Sequence, residues 1–266
     1  MIINIINRIK TISRLNRFIK PDIYRKRKEF FYSHDNMDFW NIPIFIISYN
    51  RLTYLKSLVN KLKEMGYKNI NIIDNDSTYE PLIDYYEEAE CKVFRMSKNF
   101  GHMVFWECDL FSSYRNDLYV VTDPDILPVE ECPDDFIKKM YKCLKRYPRL
   151  KKVGLSLKID DIPDEATLHD DIIKWEKKFY KIRVPFMKYY VADVDTTMAL
   201  YIPDKLDISD GFLIAVRLGK PYQARHLPWY KIKEDISNED RNYAVTRETG
   251  FWDETEGKLR VNTDVF

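Results

Sequence analysis

From residue 43 onward the chain alternates short apolar runs with stretches of helical period, and this alternation most narrows the folds open to it. IPIFIIS (42–48) reads as a buried strand, followed by Leu52, Leu55, Leu58, Val59, Leu62 and Met65 at helical spacing and a closing Gly66. NINII (69–73) precedes DNDSTYEP and a helix near 79–89. CKVFRM (91–96) precedes SKNFGH and a helix near 102–115, and DLYVV (117–121) runs into VVTDPDILP, after which Pro133 opens a helix toward 146. Strands alternating with helices imply βαβ units with right-handed crossovers. Past residue 150, KKVGLSLKI, YYVADV, TMALYI and GFLIAVRL read as further strands, with a helix near 167–180. The expected class is α/β: a mixed, mainly parallel sheet flanked by helices.

In open α/β sheets, ligands sit beyond the carboxyl ends of the strands. This rule gathers four polar clusters at one sheet edge: Ser48, Tyr49, Asn50 and Arg51; Asp74 and Asp76; Lys98, Asn99 and Gly101, with His102 beside them; and Asp123 and Asp125. Any one alone reads as a turn, since Asn, Asp and Ser are ordinary turn formers. Four in succession, without GxGxxG or GxxxxGK[ST], point to a nucleotide site that is neither a dinucleotide fold nor a P-loop. Pro124 denies the strand a backbone donor and holds Asp123 extended, so both acids stand where the chain leaves the sheet. Closely spaced carboxylates are hard oxygen ligands for Mg²⁺ or Mn²⁺, which take the rest of their shell from water and substrate phosphates.

IPIFIISYNR, IIDNDST, MSKNFGH and VVTDPDILP, in this order and spacing, resemble the nucleotide-sugar domain of GT-A glycosyltransferases, most closely those related to glycosyltransferase family 2. The resemblance covers about residues 42–130 as a motif series and, less fully, GLSLKIDD, DVDTTMALY and ARHLPWY. It implies a Rossmann-like GT-A fold and transfer of a sugar, with inversion, from a nucleoside diphosphate sugar, a UDP-sugar first, to a glycan or lipid-linked acceptor. It also implies that the end of strand one and Asp74 hold base and ribose, that Lys98, Asn99, Gly101 and His102 lie near the donor, and that Asp123 and Asp125 bind the metal and diphosphate. His226, in YQARHLPWY, is the matching candidate for a histidine that completes the metal shell. DND stands here where many members have DDG.

Inverting transfer needs a carboxylate within hydrogen-bond reach of the acceptor hydroxyl. Asp195 is the first candidate, followed by Asp193, Asp161 and Asp160. DVDTT also fits the DxDx[TV] signature of haloacid-dehalogenase-type phosphatases, but only 71 residues follow Asp195, with two weak strands and a polar tail. A sugar-phosphate nucleotidyltransferase would share the sheet and carboxylates, but usually carries a glycine-rich basic loop after strand one, where SYNRLTYL has no glycine. An inactive GT-A scaffold would show the same motifs without turnover.

Charge is unevenly spread. Residues 1–28 hold nine Lys and Arg against Asp22 alone, while the remaining chain is net acidic and lacks the basic face that nucleic acid requires. Ile2, Ile5, Ile6, Ile9, Ile12, Leu15 and Ile19 recur at helical spacing among these charges, the pattern of a basic amphipathic helix for an anionic membrane surface, with Pro21 as its end. The expected location is therefore cytoplasmic, peripheral at the inner face of the cell membrane. Four cysteines at irregular spacing, with no apolar leader, read as reduced and structural. The expected organisation is a basic extension over 1–40, a GT-A catalytic domain over 41–230 (nucleotide-sugar half 41–130, acceptor half 131–230), and a polar tail or lid over 231–266. A helix near 238–248, opened by Ser237 and Asp240, and Trp252 as a stacking surface belong to that tail.

Overall fold

The computed structural model describes residues 21–147, 149–184, 186–206 and 215–247, and the backbone of 252–253 and 258–259. The amphipathic stretch 2–19 and the side chain of Trp252 lie outside the described residues. In chain order the strands of the main sheet are β1 (Ile44–Ser48), β2 (Ile70–Asp74), β3 (Lys92–Arg95), β4 (Tyr119–Thr122), β5 (Ile126–Pro128), β6 (Lys152–Leu157), β7 (Tyr189–Val191), β8 (Ala199–Tyr201) and β9 (Ala215–His226), and Trp252–Asp253 pairs with Lys258–Leu259 apart from it. The helices are α1 (Pro21–Ser33), α2 (Leu52–Glu64), α3 (Glu80–Glu88), α4 (Val104–Glu107), α5 (Leu110–Tyr114), α6 (Phe136–Arg146), α7 (His169–Glu176) and α8 (Asn238–Thr246).

The nine strands form one mixed sheet in the order β3-β2-β1-β4-β8-β6-β9-β5, with β7 also paired to β9. β3, β2, β1 and β4 are mutually parallel, in a register that sets Ser48 beside Asp74 and Ile46 beside Thr122. β8 runs antiparallel between β4 and β6. Successive residues of a strand face opposite sides, and here both sides are covered, which is why β1 reads as one unbroken apolar run. Ile44 and Ile46 join α2 and α6 in the larger core, whereas Phe45 and Ile47 join Val104 and Phe105 of α4 on the other face.

Gly66 follows α2 at φ +87°, the left-handed conformation that closes many helices, and a Cβ there would stand 3.4 Å from the Trp40 indole. The stretch 102–115, expected as one helix, is a 3₁₀ turn followed by α4 and α5, and that near 167–180 is α7 followed by a 3₁₀ turn. Pro21 is helical, at the start of α1. That helix packs on the body: buried Arg27 donates to the carbonyls of Leu150 (3.0 Å) and Leu206 (3.2 Å), and the Tyr141 hydroxyl donates to that of Phe31 (2.5 Å). Among the described residues no helix is long and apolar enough to cross a membrane.

Candidate active site

The loops after β1, β2 and β3 are built by their own polar side chains. Asn50 has φ +49°, and its Oδ1 accepts from the amides of Thr78 (2.8 Å) and Tyr79 (3.0 Å), tying the first loop to the second. Asp74 is 1% exposed; its Oδ1 accepts from Ser77 N (3.0 Å) and the Tyr86 hydroxyl (3.1 Å), and its Oδ2 meets Arg95 Nε at 3.3 Å. Ser48, fully buried, receives the same Tyr86 hydroxyl at 3.1 Å. Ser48, Asn50 and Asp74 thus tie the loops together from inside. Asn99 Oδ1 accepts from Asn75 Nδ2 (2.7 Å) and from the amide of Gly101 (2.8 Å), whose φ is +71°. Lys98, over the Phe100 ring at 4.8 Å, and His102 stay exposed at that edge.

The acid pair stands where β4 ends. The chain leaves β4 through Asp123, Pro124 and Asp125, as expected, but rejoins the sheet at its far edge as β5, a strand of three residues. β5 pairs Ile126 with His226 of β9, which brings His226 Nε2 to 3.6 Å from Asp125 Oδ2. Arg51 Nη1 lies 3.2 Å from the same oxygen, and its guanidinium lies over the rings of Tyr54 (4.9 Å) and Tyr243 (3.9 Å). Asp125 Oδ1 is buried without a hydrogen-bond partner among the described residues. Burial first, then the Asp125 charge, pushes the Asp123 carboxyl well above the usual range, while a hydrogen bond from Thr196 pulls the other way.

Asp193, expected at the end of a strand over YYVADV, lies with Asp195 in the loop 192–198 between β7 and β8. Val194, Thr196 and Thr197 are buried while the two acids are exposed. Asp123 N donates to the Thr196 carbonyl (2.8 Å) and the Thr196 hydroxyl donates to Asp123 Oδ2 (2.5 Å), so this loop is joined to the acid pair. The other base candidates are occupied. Hydrogen bonds from Lys158 and Lys220 pull the Asp160 carboxyl down to about 2. Burial raises the Asp161 carboxyl, but hydrogen bonds from Arg225 and Tyr230 outweigh it and leave it below its ordinary value.

α8 roofs the strand-one end, with the expected capping box of Ser237 and Asp240 at its start. The Tyr49 hydroxyl donates to the Thr246 carbonyl (2.8 Å), and Asn50 Nδ2 to the Thr246 hydroxyl (2.9 Å). Glu239 reaches α2, whose N-cap, Arg51, makes no side-chain cap: the carboxylate accepts from Thr53 N (3.1 Å) and Thr53 Oγ1 (2.8 Å). A carboxylate there satisfies orphan amides and complements the helix dipole.

The sequence matches the family described as Glycosyl transferase family 2 over residues 44–207, from β1 past β8. The chain belongs to that family. It is a glycosyltransferase of GT-A fold that uses a nucleotide-sugar donor. Among solved structures it is similar to S. aureus TarS (12% identity, TM-score 0.41, 82% of this chain and 68% of that one). It is also similar to a cytidylyltransferase from Leptospira borgpetersenii (11% identity, TM-score 0.37, 62% of each chain). Curated protein sequences give no significant match.

Family 2 enzymes commonly use divalent metals, and the donor set here suits one. Among the described residues no three His, Cys, Asp or Glu side chains already form a closed metal cluster. An ion of the Mg²⁺ or Mn²⁺ kind needs none, since one or two carboxylates with water and phosphate oxygens suffice. The partnerless Oδ1 of Asp125 and the disfavoured charge of Asp123 are the groups such an ion would relieve. His226, at ion-pair distance from Asp125, adjoins them.

Proposed function

We propose that this family 2 enzyme transfers a sugar, with inversion, from a UDP-sugar to a hydroxyl of a glycan or lipid-linked acceptor, with Mn²⁺ or Mg²⁺ held by Asp123 and Asp125 and by His226 beside them. The observation that carries the reading is the double hydrogen bond between Thr196 and Asp123, which ties the loop bearing Asp195 to the acid pair. When bound, the metal would offset the charge of the diphosphate leaving group. Asp195 takes the proton of the acceptor hydroxyl as its oxygen forms the bond to the anomeric carbon. The bond from that carbon to the diphosphate oxygen breaks, and the diphosphate leaves with the electron pair. Asp195 is preferred to Asp160 and Asp161 because lysine and arginine partners already hold those two as carboxylates of low basicity.

Tyr49, Arg51, Lys98, Asn99 and His102 frame the donor side, while Ser48, Asn50, Asp74 and Gly101 set the shape of its loops. The basic residues 1–20 would hold the enzyme at the inner face of an anionic membrane. The test is release of nucleoside diphosphate from a panel of UDP-, GDP- and other nucleotide sugars, water standing in for the acceptor, in wild type and Asp195→Asn. Loss of roughly 10²- to 10⁴-fold in kcat is expected for the variant with its preferred donor. Wild-type turnover in Asp195→Asn sinks the assignment of the base.

A further inference from the structure

We infer that Arg217, with Glu176 and Gly154, is a positioning device for the loop 192–198 and so for the Asp195 carboxylate. The inference rests on the reading of Asp195 as the base. This loop has no strand pairing of its own, so its side chains face where its anchors put them. On one side Arg217 Nε donates to the Asp193 carbonyl at 2.7 Å while Nη1 of the same guanidinium binds Glu176. The guanidinium also lies over the Phe179 ring at 4.0 Å.

Arg217 is 4% exposed and Glu176 1%, on β9 and at the end of α7. A buried ion pair is a weak source of stability compared with apolar residues of the same volume. Its geometry here has a better explanation. One face of the fork is fixed by the carboxylate, so the other presents a rigid donor to the Asp193 carbonyl. A lysine ammonium, a single point charge on a flexible stem, does not reproduce that two-sided hold.

A second anchor lies on β6. A Cβ at Gly154 would stand 2.7 Å from Val194 Cγ1 and 3.1 Å from the Thr197 carbonyl, so the loop rests directly on bare backbone. The third anchor is the Thr196 pair of hydrogen bonds to Asp123. Asp193 is thus held by its carbonyl, Val194 by packing and Thr196 by Asp123. Asp195, between the last two, keeps an exposed side chain on a backbone fixed at both sides. Arg217 touches neither donor nor acceptor in this arrangement and acts through Asp193.

Backbone hydrogen exchange over 192–198 in wild type, Arg217→Lys and Gly154→Ala tests this, together with UDP release from UDP-sugars in Mn²⁺. Exchange in the loop should quicken by about tenfold or more, with β1, β2 and β4 unchanged. The kcat should fall about 10- to 100-fold at unchanged KM, as expected when a catalytic group is displaced by an ångström or so. If the lysine variant does not fold, Gly154→Ala, which pushes the loop from β6, carries the same expectation. Loop exchange within about twofold of wild type in the folded variants overturns the inference, as does wild-type kcat in a variant whose loop has loosened. Wild-type kcat in Asp195→Asn sinks the base assignment instead, so the two failures are separate.

Discussion

Arg51, at the start of α2, and Asp125, beyond the end of β4, form an ion pair of 3.2 Å at the sheet edge, with both side chains nearly buried. Burial and the charge of Asp125 push the neighbouring Asp123 carboxyl upward. Removing the guanidinium leaves a buried charge uncompensated. Arg51→Met should therefore cost about 3–5 kcal/mol of stability by denaturant unfolding. A cost below about 1 kcal/mol would show that water reaches Asp125 freely.

Asp123 gives up its proton at higher pH than an ordinary carboxyl because of burial and the Asp125 charge. The folded, metal-free protein then holds a proton that the unfolded chain releases, so its stability falls as pH rises between the ordinary and the raised value. Metal binding needs the ionised form. UDP affinity in Mn²⁺ should accordingly keep rising above about pH 5, where ordinary carboxyls are already ionised. Thr196→Val removes the hydrogen bond that favours the ionised form and should move that rise to higher pH. A pH-independent affinity in both proteins contradicts the assignment.

Glu239 supplies from α8 the cap that α2 lacks. Glu239→Ala should cost about 1–2 kcal/mol, the usual range for a lost helix cap. It should also quicken exchange of the amides of residues 52–54, and an unchanged melting temperature would contradict the capping role.

The strands β1 to β4 and the loops that follow them are legible in the sequence because their signals are local: apolar runs, helical spacing and turn residues. What long-range pairing decides is not. β5 has three residues, too few for periodicity, yet its pairing with β9 sets His226 beside Asp125. The clamp of Glu239 on Thr53 spans 186 residues. Asp193 and Asp195 keep the alternation of a strand, in and out, without being one, because Gly154 and Arg217 hold an irregular loop in place. Asp74 shows a further limit, since a sequence places an acid at a strand end without showing its hydrogen bonds to Ser77, Tyr86 and Arg95.

The basic stretch at the start of the chain is best tested by removing residues 1–20 alone. Arg27 is buried and bonded to Leu150 and Leu206, so a deletion reaching it would damage the fold as well. The shortened protein should fold normally and lose binding to vesicles containing anionic phosphatidylserine. Full retention of vesicle binding would contradict a membrane role for that stretch.

Whether Asp123 and Asp125 hold a metal, and with it the donor diphosphate, is decided by calorimetric titration of UDP with and without Mn²⁺ in wild type and Asp125→Ala. Binding that requires Mn²⁺ in the wild type and is lost in Asp125→Ala is the expected result. UDP binding that ignores Mn²⁺, or that survives intact in Asp125→Ala, would refute the metal site.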